Sequence, residues 1–269
     1  YSQELLAVYG LDKNLFHQYW IWLSKAVTGD LGQTIIARQP VLDDIKQRLP
    51  ITAELALLSM LVTAVFGVPI GVISAVKKNS IFDVLGSGFS FIAVSLPHFW
   101  LGLMMIMLFS LYLGWLPPGR FVAFSDNPIL HLRNMIMPSF ALGLGSTALV
   151  VRLLRSGMLE VLSQEYVQVA RSKGLAERTV IFRHALRNAL LPVITVFGLI
   201  FGRLFGGAII IESIFVLPGM GHYILTSIHG REYTALQAAV IVIVMGVLLS
   251  NLLVDILYGY LDPRIRQQG

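Results

Sequence analysis

The chain has 269 residues, of which 56% are hydrophobic and only 13% charged, against roughly 25% charged in an ordinary soluble domain; its mean hydropathy is +0.75. So little polar surface excludes a compact body in water, and uncharged runs near the roughly 20 residues that cross hydrocarbon place the chain among helical integral membrane proteins. The net charge of +5 fits Lys and Arg collected in cytoplasmic loops rather than a nucleic-acid surface, and with no cysteine neither disulfides nor thiol chemistry enter.

In chain order, residues 1–50 are a mixed amphipathic segment opening with "YSQELLAVYGLDKNLFHQYW", which lacks signal-peptide character. The first apolar run, residues 55–76, lies between Glu54 and Lys77. Residues 84–119 hold no Lys, Arg, Asp or Glu and contain "SLPHFW". Pro97 removes a backbone donor and disfavours helix at Leu96, so a break is expected there. Residues 134–151, 188–211 and 233–254 follow, and Arg203 alone interrupts the middle run of these.

Charge sets the span count. Lys77 and Lys78 follow the first run, while the connection 152–190 carries Arg152, Arg155, Arg171, Lys173, Arg178, Arg183 and Arg187. The positive-inside rule puts both in the cytoplasm, so residues 84–119 should cross once, as a long kinked or tilted helix. The expected fold is an all-α, polytopic helical bundle with five spans in a transmembrane domain at 51–262. Residues 1–50 and the loop 212–232 lie outside; the loop 152–190 and the tail 263–269 lie inside. An external N-terminal segment without a signal implies a first span upstream of Tyr1, giving six.

The basic connection has helical grammar. Ser163 is placed to cap a helix with Glu165 in its first turn and Arg171 and Lys173 in its last, each at the dipole end that favours it. Gly174 is placed for a left-handed ending. "AERTVIFRHALRNAL" then reads as a second helix with Val180, Ile181, Ala185 and Leu186 as its apolar stripe. Periodicity alone leaves two readings open, a docking surface or a solvated loop that only sets topology.

"YVQVARSKGLAERTVIFRHALRNALLP" closely resembles the cytoplasmic coupling loop of ABC-importer permeases, in the branch that handles dipeptides, oligopeptides, glutathione and nickel. "GLDKNLFHQYWIWLSKAVTGDLGQTI", "RQPVLDDI", "IIIESIFVLPGMGHYI" and "LLVDILYGYLDPRIR" resemble the same branch in the same order, over nearly the whole chain. Against the general importer motif, Gln168, Val169 and Ala170 stand at the Glu-Ala-Ala positions, and His184, Leu186 and Arg187 at the later Ile, Leu and Pro; only Ala170, Gly174 and Leu186 match. The resemblance implies a bundle of the ABC-importer permease type in a bacterial inner membrane. It implies that Glu165, Tyr166, Ala170, Arg171, Lys173, Gly174 and Leu175 couple the spans to an ATPase subunit. It also implies a second homologous permease, two ATPase chains holding ATP and magnesium, an external solute-binding protein, and no cofactor on this chain. The implied cargo is di- or oligopeptide, with nickel, a metal chelate or glutathione as alternatives.

No Gly-x-x-x-x-Gly-Lys-Ser/Thr loop and no His-Glu-x-x-His occurs, and the six histidines show no metal-ligand spacing, so a non-catalytic chain without a metal is expected. Arg203 either lines the translocation path and attracts a carboxylate or pairs internally with Asp255 or Glu212. Gly198, Gly202 and Gly206 repeat every fourth residue as a packing stripe. "ESIFVLPGMGHYI", with Glu212 and Phe215, reads as an irregular outer loop dipping toward the path or as a plain external turn. Glu54 reads as a first-turn carboxylate complementing a helix dipole. Asn251 and Asp255 read as a local cap or as partners of Arg264 or Arg266. His98 either packs at the Pro97 kink or faces the path. The rival class is an ion-coupled secondary transporter, which requires paired broken helices in related halves and membrane carboxylates; the halves show no repeat and mid-span carboxylates are scarce.

Overall fold

The computed structural model describes residues 13–261. Helix α1 (Leu15–Val27) starts at Asn14, whose side chain accepts a hydrogen bond from the His17 amide at 3.1 Å, and it buries none of its residues. The chain then folds back, with Gln33 bridging Pro40, and enters α2 (Val41–Val76). With 36 residues, α2 is about 54 Å long, well beyond the roughly 30 Å of hydrocarbon. The helix starts ten residues before residue 51, with Asp43 and Asp44 complementing its N-terminus, and continues through Pro50 and Pro69.

Leu55, Ser59, Thr63, Gly67, Gly71 and Ala75 recur every fourth residue of α2, and all are buried. They face α5 (Pro128–Leu162), whose first turn is capped by Asn127 with Pro128 at the position that tolerates it. A Cβ on Gly67 would press on Val150, one on Gly71 on Leu154, and one on Gly143 on the Ser59 carbonyl. Small residues thus bring the two backbones close enough for Thr63 Oγ1 to donate to Gly143 O at 3.1 Å. Helix α5 is the hub of the bundle and touches every other long helix except the last.

Between α2 and α5 the chain forms α3 (Ile81–Ser95) and α4 (His98–Met105), the latter running on as π-helix to Tyr112. The expected break falls at Leu96, which is extended, and the two pieces meet at 102°. That bend is far sharper than the tilted single helix expected from charge.

After α5 come α6 (Glu165–Ser172) and α7 (Glu177–Ile214), with a π-helical turn at Val180–Ala185. The connection 152–190 is thus mostly helical: Arg152 and Arg155 belong to α5 itself, and the expected second helix continues into the next long helix. Helices α8 (Met220–Gly230) and α9 (Tyr233–Leu261) complete the described chain. Among the described residues, α2, α5, α7 and α9 are long and apolar enough to cross a membrane, and the bent α3–α4 pair adds a fifth only if its two pieces form one broken span rather than a re-entrant loop.

Candidate functional site

Three constructions stand out. The first is the corner between α6 and α7. Val167 and Ala170 are buried against Val180, with Val161 and Leu162 beside them, which fixes α6 on the end of α5. Arg171 donates to both carboxylate oxygens of Glu177, at 2.6 and 3.1 Å, and this pairing pushes the guanidinium pKa further above its ordinary value. Gly174 turns the corner at φ +75°, where an L side chain is strained. Tyr166 Oη accepts from Asn188 Nδ2 at 2.8 Å. The outer face of the corner presents Glu165, Tyr166, Val169, Lys173 and Leu175, an apolar patch with charges at its edge. Of the residues expected to couple, Ala170 is buried and faces the inner side of the corner.

The second is a cavity of about 280 Å³ where the α3–α4 break faces α5 and α7. Leu96, His98, Gly145, Ser146, Arg203 and Leu204 are on its wall. His98 Nδ1 lies 3.1 Å from Ala141 O, and the ring covers Gly145, where a Cβ would sit 2.7 Å from Cε1. Arg203 is exposed and forms no ion pair among the described residues. A larger cleft of about 800 Å³ between α1 and the start of α9 carries no charged side chain, and a neighbouring one of about 350 Å³ carries Lys25 and Asp30.

The third is a lock at the opposite end of α7 from the corner. Glu212 is fully buried. Its Oε1 accepts from Thr52 Oγ1 at 2.6 Å, and its Oε2 from the His222 amide at 3.0 Å. Thr52 Oγ1 in turn accepts from the Met220 amide at 2.8 Å. Phe215 is also fully buried, under Gly119, where a Cβ would sit 2.7 Å from the Phe215 carbonyl oxygen. Beside this lock, Tyr223 donates to Asp44 Oδ2 at 3.0 Å; burial first, then that carboxylate, pushes the phenol pKa well up and keeps it a donor.

A family model described as binding-protein-dependent transport system inner membrane component matches residues 67–267. The chain belongs to this family. The di/tripeptide transport system permease of Pseudomonas aeruginosa is 41% identical over 285 residues, covering 98% of this chain and 85% of that one. The dipeptide transport system permease of Escherichia coli K12 is 40% identical, with the same coverage. The glutathione transport system permease of an E. coli O6:H1 strain is 39% identical over 96% of this chain and 81% of its own length. Among solved structures, an inward-facing MetNI methionine ABC transporter matches with a TM-score of 0.66 at 17% identity, covering 81% of this chain and 96% of that chain. That likeness shows the fold, an ABC-transporter permease bundle.

Within this inner-membrane component, Arg203 and His98 share one cavity, whereas Glu212 and Phe215 lie in the interior and not on its wall. Glu212 does not pair with Arg203, and the loop around it is irregular only from Phe215 to Gly219. Glu54 is corrected too. It lies well inside α2 and meets His131 Nε2 at 2.6 Å rather than completing a first turn. Ser163 closes α5 by donating to Glu160 O, and Gln164 is the residue preceding α6. Gly198 and Gly202 pack on Val254 and Val247 of α9, while a Cβ on Gly206 would meet open space, so the stripe packs at two of its three positions. Arg264, Arg266 and the Asp255 side chain lie outside the described residues. Sequence reading missed Thr52, Ser146 and the Asp83–Arg155 pair; a hydroxyl in an apolar run is the only local signal for the first two.

Proposed function

We propose that this inner-membrane component forms half of the translocation pathway of an ATP-driven peptide importer. It pairs with a second, homologous permease, two cytoplasmic ATPase chains that bind ATP and magnesium, and an external solute-binding protein. The corner at α6 carries the reading. A short helix anchored inward by Val167 and Ala170 presents Tyr166, Val169 and Leu175 to the side where the basic residues gather, a patch suited to a groove on a partner. Relatives named for dipeptide transport at about 40% identity support peptide as cargo. The chain itself performs no chemistry in this reading. Glutathione transport is the second reading, favoured by the 39% identical glutathione permease.

The test is to isolate the full assembly in mild detergent, then measure ATP-dependent uptake of a labelled dipeptide after reconstitution. Two ATPase chains and a second permease should co-purify, and a Ser172→Cys probe, unique in a cysteine-free chain, should cross-link to an ATPase. Isolation of the chain alone in several detergents, with uptake driven by a proton gradient, would favour the ion-coupled class instead.

A further inference from the structure

Hydroxyl groups inside these helices usually bond to the carbonyl four residues back, as Ser59, Thr63, Ser90, Thr147 and Ser250 do. Ser146 forms no such bond, and it lies on the wall of the cavity that Arg203 and His98 line. Ala141 O can only accept, so His98 Nδ1–H donates to it, and Nε2 has no hydrogen-bond partner among the described residues. Arg203 presents a planar fork of donors with no acceptor, and such a group within an apolar span faces a cavity or a partner. Glu212, the carboxylate on the same helix, is turned away and fully engaged by Thr52 and the α8 amides. Three polar groups of different kinds therefore share one cavity whose other walls are apolar: a donor fork, a hydroxyl and an imidazole Nε2 without a partner among the described residues.

We propose that this cavity is a recognition site for the carboxylate end of a peptide. The Arg203 guanidinium and the Ser146 hydroxyl donate to the terminal carboxylate, and His98 Nε2 accepts from the amide N–H of the terminal residue. Carboxylate and amide N–H are separated by a single α-carbon in that residue, so one small cavity accommodates both. The inference rests on the peptide-importer reading and narrows it: the permease itself, and not only the binding protein, selects a free C-terminus.

The experiment uses the complete assembly, with its binding protein, in ATP-loaded proteoliposomes, and compares uptake of labelled dialanine with that of its C-terminal amide. Charge-assisted hydrogen bonds are worth about 1.5–3 kcal/mol, so Arg203→Gln should lower dialanine uptake by about ten-fold or more. The acid-to-amide ratio should fall toward one. Arg203→Lys, which keeps the charge, should retain most of the ratio, and Ser146→Ala should reduce it by a smaller factor without disturbing packing. An acid-to-amide ratio that stays at the wild-type value in both Arg203→Gln and Ser146→Ala would overturn the site. So would a parallel loss of both substrates together with loss of co-purifying subunits, since Arg203 would then be pairing with a partner chain. If the unaltered assembly imports neither compound, the peptide reading itself falls, and the site with it.

Discussion

Glu212 is fully buried beyond the wall of the Arg203 cavity, with both carboxylate oxygens engaged. A carboxylate at the end of an apolar run suggests a group that meets cargo. Here it organises backbone instead, drawing the Thr52 hydroxyl and the His222 amide onto its two oxygens, while Thr52 ties in Met220. The decisive partner lies 160 positions away, so no local pattern could have revealed it. Leaving a buried donor unpaired costs about 1–3 kcal/mol. Glu212→Ala strips acceptors from at least two donors at once and should destabilise the protein by on the order of 3 kcal/mol. Glu212→Gln keeps the shape and one good acceptor and should lose about half as much. Thermal melting of the purified assembly would rank wild type, Gln and Ala in that order; an Ala variant that melts with wild type removes the lock.

Helix α6 was legible because its determinants are local: Glu165 and Arg171 at the favoured ends, then a glycine with positive φ. Ser163 was misread because only Ser163 and Gln164 separate α5 from α6, and a hydroxyl there serves either the helix that ends or the one that begins. The break at Leu96 was legible for the same local reason, the proline that follows it. The 102° angle was not, because packing sets it: α4 rests on α7 where a Cβ on Gly102 would sit 3.2 Å from the Phe215 ring. Two substitutions separate the anchoring of α6 from its outward face. Gly174→Val forces an L residue into a left-handed conformation and should cost about 1–2 kcal/mol, loosening the corner. Val169→Glu places a charge on an exposed position and should leave melting unchanged, yet reduce the ATPase chains recovered with the permease by about ten-fold, as burial of a charge at an interface requires. Equal ATPase recovery from Val169→Glu and wild type would move the docking surface elsewhere.

Asp83 and Arg155 link α3 to α5 across the bundle. Arg155 lies on the stretch of α5 that leads directly to α6, and its Nε and Nη2 donate to Asp83 at 2.6 and 2.8 Å. Asp83 also accepts from the Asn79 amide, at the turn that starts α3. Its side chain is only 7% exposed against 29% for Arg155, so the two ends of the pair are unequal. The pair thus ties the end of α5 that leads to α6 to the first turn of α3, which leads to the α3–α4 break, by a bidentate ion pair as well as by packing. Arg155→Leu strands a buried carboxylate and should cost on the order of 3 kcal/mol. Asp83→Leu strands a half-solvated guanidinium and should cost less. The double replacement by two apolar side chains should recover much of the stability, because apolar pairs often match buried ion pairs once neither charge is left alone. Transport should follow a different order. If the pair carries motion, the stable double variant should still hydrolyse ATP but import several-fold less peptide per ATP, since apolar contact lacks the directional grip of two parallel hydrogen bonds. Measuring melting, hydrolysis and uptake on the same three preparations separates the outcomes: a double variant with wild-type coupling would reduce Asp83–Arg155 to a brace, and a stable but uncoupled one would make it the link between corner and cavity.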